Sequence, residues 1–218
     1  MKKVSILSKL HKSTSRDYIE RMGKDKVHCM EVAQNYGQEY WDGARCYGYG
    51  GYEYDGRWKE IAKEVIKEFG LTKESKVLDI GCGKAHLLYE IKNLLGCKVK
   101  GIDISKHALE SAPEDIKEDL EFLDITEDFS LEEREYDLII SVMTLHNLEL
   151  YNLERIFKEI SKGTKNSYIV VESYRSQKEL FNLQCWALTC QSFFSEKEWE
   201  YLFERNGLQC HYEFLHFE

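Results

Sequence analysis

The chain has 218 residues, 43% of them hydrophobic, which is enough for one well-buried domain and marginal for two. Its 32% charged and 13% aromatic content exclude a largely disordered polymer. The net charge of −9 is uneven: residues 1–76 carry +3, residues 77–218 carry −12, and residues 1–28 alone carry +5. An acidic body with a basic start argues against a general nucleic-acid binder and points to something small and anionic near the first segment.

No apolar run approaches the roughly 20 residues that span a bilayer, so no membrane insertion is expected. The opening MKKVSILSKLHKS has a positive end but no apolar region, so it does not read as a signal peptide and a cytoplasmic location is expected. The seven cysteines are an odd number without a C-x-x-C pair. Reduced, buried thiols and no metal site are the expectation.

In chain order, Ser13, Thr14 and Ser15 offer N-cap hydroxyls for a short helix from about Arg16. Residues 36–58 hold eight aromatics and six glycines, fit neither helix nor strand periodicity, and read as an ordered loop. From Trp58 the apolar residues Ile61, Ala62, Val65, Ile66 and Phe69 lie on one helix face, ended by Gly70. Strands follow at 77–81, 98–104, 120–125, 136–144 and 166–174, with helices at 85–96, 106–112, 150–163 and 195–207 between them. Ser195 and Glu198 form a capping box, and LQCHYEFLHF reads as a closing strand. This alternation predicts an α/β fold: a mostly parallel, Rossmann-like sheet with helices on both faces and the last strand added antiparallel at the edge. The stretch FNLQCWALTCQSFF, 181–194, reads equally as a cap on an acceptor pocket or as a homodimer surface.

The central motif is VLDIGCGKA, residues 77–85, between a strand and a helix. Gly81 and Gly83 let the backbone turn tightly and let a ligand approach the main chain. Asp103 ends the next strand, 20 residues after Gly83, where an acid accepts hydrogen bonds from both ribose hydroxyls. Asp124 ends the third strand. Asp79, Asp103 and Asp124 thus fall at the carboxyl ends of three successive strands, the edge where such sheets bind ligands. A dinucleotide reading is weaker, because His86 stands at the sixth fingerprint position and Asp79 would repel a pyrophosphate.

Over residues 59–218 the chain resembles the class I S-adenosylmethionine (SAM)-dependent methyltransferases. VLDIGCGKA resembles their first motif, with Ala85 where a third glycine is common. The resemblance implies that Asp79, Gly81 and Gly83, with Cys82 between them, line the methionine part of SAM. It implies Asp103 on the ribose, Ile104 against adenine, and Asp124 and Ile125 at the adenine amine. YDLIISVMTLHNL resembles the fourth motif, which places Ser141, Val142 and Met143 near the cofactor and His146 at the mouth. The expected product is S-adenosylhomocysteine (SAH).

Residues 1–58 are expected to form an acceptor-binding lid, and residues 59–218 the SAM-binding domain. In GYGGYEYDGRW, Tyr49, Tyr52 and Tyr54 supply phenol donors and apolar cover. Lys9, His11, Lys12, Arg16 and Arg21 form a basic cluster, with Arg45 and Arg57 beside the aromatic loop. Arginine suits bidentate binding of phosphate or carboxylate. His11, Arg16, Arg45, Tyr49, Tyr54 and Arg57 are therefore the expected acceptor-binding set. His146 and Tyr52 are the catalytic candidates, with Glu172 and Tyr174 nearby at the next strand end. The opening segment, GYGGYEYDGRW and VLDIGCGKAHLL together are similar to small methyltransferases encoded with bacterial surface-polysaccharide genes, including those of the O-methyl phosphoramidate decoration of capsules. That similarity implies O-methyl transfer to a small phosphoramidate or phosphate-type precursor in capsule biosynthesis. Transfer to the oxygen or nitrogen of a neutral sugar or other small molecule, and a non-catalytic SAM-binding module, are the alternatives.

Overall fold

A computed structural model describes residues 1–8, 16–127 and 129–218. Seven strands form one sheet in the order β1-β7-β6-β5-β2-β3-β4. They are β1 (Lys2–Lys3), β2 (Lys76–Ile80), β3 (Lys98–Asp103), β4 (Leu120–Phe122), β5 (Leu138–Val142), β6 (Ser167–Glu172) and β7 (Cys210–Leu215). The helices are α1 (Tyr18–Gly23), α2 (Lys26–Ala33), α3 (Gln38–Trp41), α4 (Trp58–Phe69), α5 (His86–Leu95), α6 (Lys106–Glu110), α7 (Leu150–Gly163), α8 (Gln177–Trp186) and α9 (Glu196–Arg205).

Every strand pair is parallel. The Rossmann-like architecture agrees with the alternation in the sequence, but the last strand does not run antiparallel. β7 pairs parallel with β6, and β1 covers its other side, so it is not at the edge. The physical reason is the connection: α8 and α9 carry the chain back between β6 and β7, as a parallel pairing needs. Alternation marks a strand but does not encode its direction.

The period-two pattern divides the core between the two faces of the sheet. Leu78, Ile80, Ile139, Ile169 and Val171 pack with Ile156, Phe157 and Ile160 of α7 and Trp199 and Phe203 of α9. Val77, Leu138, Ile140 and Val170 pack on the other face with Ile61 and Val65 of α4 and Leu88 and Ile91 of α5. All six residues of β6 are buried, as expected of a central strand covered on both faces. The helices stop where the sequence predicts: Gly70 and Gly96 adopt left-handed conformations after α4 and α5. Ser195 and Glu198 make the capping box of α9.

Asp17 caps α1, accepting from the Glu20 N–H. Ser13, Thr14 and Ser15 lie outside the described residues, as do Lys9, His11 and Lys12. Beyond β1, the N-terminal segment is held by Glu213, which is 2% exposed. Its carboxylate accepts from the backbone N–H groups of Ile6 and Leu7, both at 2.9 Å, from that of Ser8, and from the Tyr168 hydroxyl at 2.9 Å. Removing a buried charged acceptor strands several donors at once. We expect Glu213→Ala to destabilise the fold by about 3 kcal/mol. Urea unfolding measures this, and proteolysis within the first 35 residues should accelerate. Unchanged stability would contradict the role of Glu213.

Candidate active site

The strand ends converge on two cavities of about 410 and 480 Å³ that share Tyr40, Trp41, Tyr49, Gly81, Val142 and Met143 as a common wall. The larger is lined by Asp103, Ile104, Asp124 and Ile125; the smaller by Asp79, Cys82, Gly83, His146 and Glu172. One long site thus runs across the carboxyl edge of the sheet, where parallel α/β folds bind ligands.

The glycine turn is shaped by conformation and by close approach. Gly81 and Gly83 have φ of +76° and +57°. A Cβ on Gly81 would meet the Thr144 hydroxyl at 2.1 Å, and one on Gly83 would meet the Trp41 ring at 2.6 Å. Ala85 also takes a left-handed φ, +56°, a conformation that is unfavourable for a side chain and free for glycine. Met143, on the shared wall, does the same at +60°. Such strain tends to collect where a site demands an unusual backbone.

Asp103 is fixed by the turn itself. Its Oδ2 accepts from the Gly83 N–H at 2.7 Å and its Oδ1 from the Ser105 N–H at 2.7 Å. The Ile104 N–H is a third backbone donor to this carboxylate, whose four acceptor positions still leave one for a ligand hydroxyl. Burial raises its pKa, opposed by those backbone donors. Asp79 is different. It is 4% exposed, and its Oδ1 has no hydrogen-bond partner. Burial and the nearby Asp103 push its carboxyl up to about 8. A buried carboxylate without a donor calls for a cation. The ammonium group of SAM supplies one, so the residues fit the cofactor that the resemblance implies. Asp124 lies on the larger cavity, with Oδ1 accepting from the Thr126 N–H and hydroxyl at 2.8 and 2.6 Å.

Four expected site residues have other roles or settings. Ser141 is fully buried and spends its hydroxyl on the Ile80 carbonyl at 3.0 Å, tying β5 to β2; Val142 and Met143 line the cavities instead. Tyr54 turns away, its hydroxyl donating to Glu90 and its ring packing edge-on against Tyr89 of α5. Tyr52 lines the smaller cavity, stacks on His86 at 5.0 Å, and accepts from the Trp58 indole N–H at 2.9 Å. Burial raises its pKa well above the ordinary phenol value, so it donates and is not a base near neutral pH. His146 lines the same cavity, but both ring nitrogens face Glu172: Nδ1 accepts from the Glu172 N–H at 3.4 Å, and Nε2 lies 3.5 Å from its carboxylate. Burial pushes the His146 imidazolium down, so the ring is neutral. His11 lies outside the described residues.

The guanidinium groups of Arg16, Arg21 and Arg45 all lie over the Trp186 ring, at 5.4, 4.5 and 5.1 Å from its centroid, on the smaller cavity. Burial lowers the pKa of each. Arg57 also lines this cavity but pairs with Asp55. Arg21, expected only in the basic cluster, and Trp186, to which the sequence assigns no role, both line the site. Residues 187–190 also line this cavity, so the 181–194 stretch reaches the site.

Trp41 has a role that the sequence does not single out. It sits on Gly83, stacks on Tyr49 at 5.0 Å, and donates to the Ser105 hydroxyl at 2.9 Å. The next residue, Asp42, binds Lys84 at 2.6 Å and His107 at 2.7 Å. The density of aromatics in residues 36–58 was the only sequence signal for this arrangement.

Among the described residues no helix is long and apolar enough to cross a membrane, and no His, Cys, Asp and Glu group could hold a metal ion. All seven cysteines are free thiols.

Below about pH 8 the ligand-free Asp79 carboxyl is largely protonated, and a ligand ammonium favours its ionised form. Binding therefore releases a proton, and SAH affinity rises with pH between 6 and 8, by up to about tenfold per unit. Calorimetry in buffers of different ionisation enthalpy measures the release. Asp79→Asn should flatten the dependence; an unchanged slope would contradict the assignment.

A family model described as a methyltransferase domain matches residues 71–207. A phosphoethanolamine N-methyltransferase from Plasmodium falciparum is 26% identical over 125 residues, 55% of this chain and 47% of that protein. A ribosomal protein L11 methyltransferase from Dictyoglomus thermophilum is 31% identical over 113 residues, 50% of this chain and 35% of that one. The chain thus spans less than half the length of either relative. A SAM-dependent methyltransferase from Archaeoglobus fulgidus shares the fold, with a TM-score of 0.54, 22% identity and 68% of each chain covered. The matched region is well over half of the chain, and it contains the glycine turn and all three strand-end acids: the chain belongs to the methyltransferase-domain family, with SAM as its cofactor.

Proposed function

We propose that the protein transfers a methyl group from SAM to a small anionic acceptor bearing a phosphate- or phosphoramidate-type group, as a step in capsular or surface-polysaccharide biosynthesis. The observation that carries the anionic acceptor is the convergence of Arg16, Arg21 and Arg45 on Trp186, in the same cavity as Asp79. Guanidinium forks match tetrahedral oxyanions, and indole stacking holds them in place without neutralising them. A neutral sugar offers no charge or tetrahedral oxygens to match them. The polysaccharide context rests on the similarity of the opening segment and GYGGYEYDGRW to enzymes of that setting.

When bound, SAM supplies an electrophilic methyl group on a positively charged sulfur. The chain's own residues align the partners and exclude water. Asp79 holds the ammonium end, Asp103 the ribose hydroxyls, and the arginines the oxyanion. Residues 36–52 act as the lid: Trp41 covers Gly83, and Asp42 latches the segment through Lys84 and His107. N-methylation of a phosphate-bearing amine is the second reading. The Plasmodium relative carries such an activity in its name, and the acidic Glu172 lies in the arginine-lined cavity.

Two measurements test this reading. Incubation with labelled SAM and a panel of phosphoramidate, phosphate monoesters, phosphoethanolamine and neutral sugars should give turnover with the phosphoryl compounds. Arg16→Ala and Arg45→Ala should each raise KM by about 10-fold or more, the worth of a charge-assisted bond. Methylation confined to neutral sugars would overturn the anionic acceptor. For the lid, Asp42→Asn breaks a contact with the buried Lys84, and SAH should dissociate about tenfold faster in stopped flow. An unchanged dissociation rate would contradict the latch.

A further inference from the structure

The smaller cavity holds a further carboxylate beside the arginines and Asp79. Glu172 ends β6, is 7% exposed and lines that cavity. Its backbone is held on both sides: its N–H donates to His146 Nδ1 at 3.4 Å, and its carbonyl accepts from the Trp199 indole at 3.1 Å. Because Nδ1 is the acceptor, the neutral His146 ring carries its proton on Nε2, directed at the Glu172 carboxylate 3.5 Å away. The histidine therefore has no lone pair for a ligand. The glutamate does.

We propose that Glu172 receives the proton lost by the methyl acceptor, with His146 as its positioning residue. This rests on the anionic-acceptor reading and adds to it that the methylated atom is an O–H or N–H of the phosphoryl-bearing molecule. The acceptor's lone pair forms a bond to the methyl carbon. The sulfur–methyl bond breaks, with its electron pair going to sulfur. The acceptor's proton passes to the Glu172 carboxylate and is lost to water on product release.

The surroundings suit that task. Burial pushes the Glu172 carboxyl up to about 7, and Arg16 and Lys26 limit the rise. The other titratable groups facing it are His146, Tyr40, Tyr49 and Cys190, from the turn after β5, from α3 and its following loop, and from the segment after α8. Burial keeps His146 neutral and raises the pKa of Tyr40, Tyr49 and Cys190, so none competes as a base near neutral pH.

The test uses the full chain saturated with SAH, and sulfate as a tetrahedral oxyanion that does not titrate near neutral pH. An anion on the arginines raises the proton affinity of the nearby carboxylate. Calorimetry in several buffers at pH 7 should show proton uptake by wild type and none by Glu172→Gln, whose SAH affinity stays within about twofold. With phosphoramidate as acceptor, Glu172→Gln should lower kcat about 100-fold, leave KM within threefold, and abolish the acidic limb of the pH profile near 7. His146→Asn should shift that limb without removing it. Sulfate binding with no uptake by wild type, or with uptake that persists in Glu172→Gln, overturns the assignment of Glu172 alone. Absence of sulfate binding overturns the anionic-acceptor reading and this proposal with it.

Discussion

A carboxylate that the fold buries and leaves unsatisfied is the interaction on which this structure turns. Asp79 is the penultimate residue of the central strand β2, two positions before Gly81, is buried, and has no donor for one of its oxygens. Leaving a buried polar oxygen without a donor is costly, and ionising the group costs more, unless a ligand completes it. The strained backbone at Ala85 and Met143 and the close approach of Trp41 to Gly83 surround the same point. The parallel sheet supplies the rigid frame. β6 lies two strands from β2, about 10 Å away, and the register sets Asp79 level with Tyr168, so the backbones of Asp79 and Glu172 lie roughly 16 Å apart along one edge.

The positive charge at the start of the chain divides into two uses. Part of it is architectural. Lys26 donates to the carbonyls of Cys185 and Ala187 at 2.7 and 2.6 Å, and Arg21 to that of Trp186 at 3.0 Å, satisfying the carboxyl end of α8. Lys2 and Lys3 pair with Glu68 and Glu196. The rest gathers around Trp186, where Arg16 and Arg45 join Arg21. The two uses are linked. The contacts that cap α8 also bring Trp186 and the guanidiniums together at the cavity wall.

Much of the fold and of the cofactor end was legible in the sequence because its signals are local. Strand alternation, the glycine spacing and the acids at strand ends each follow from a few adjacent residues. What the sequence hid depends on contacts between distant segments. The direction of β7 is set by the α8–α9 connection, not by its alternation. His146 reads as a base until its Nδ1 is seen to accept from a backbone group 26 residues away. Tyr54 and Trp41 have similar aromatic character, yet one turns to α5 and the other covers Gly83. Ser141 lies in the motif that borders the site, but the strand's pleat points it inward.

A crystal structure of the protein with SAH and phosphoramidate bound tests these assignments together. The SAH ammonium should lie on Asp79, its ribose hydroxyls on Asp103, and the phosphoryl oxygens within hydrogen-bond reach of Arg16 and Arg45. SAH bound away from Asp79 and Asp103, or phosphoryl oxygens bound away from the Trp186 arginines, would contradict them.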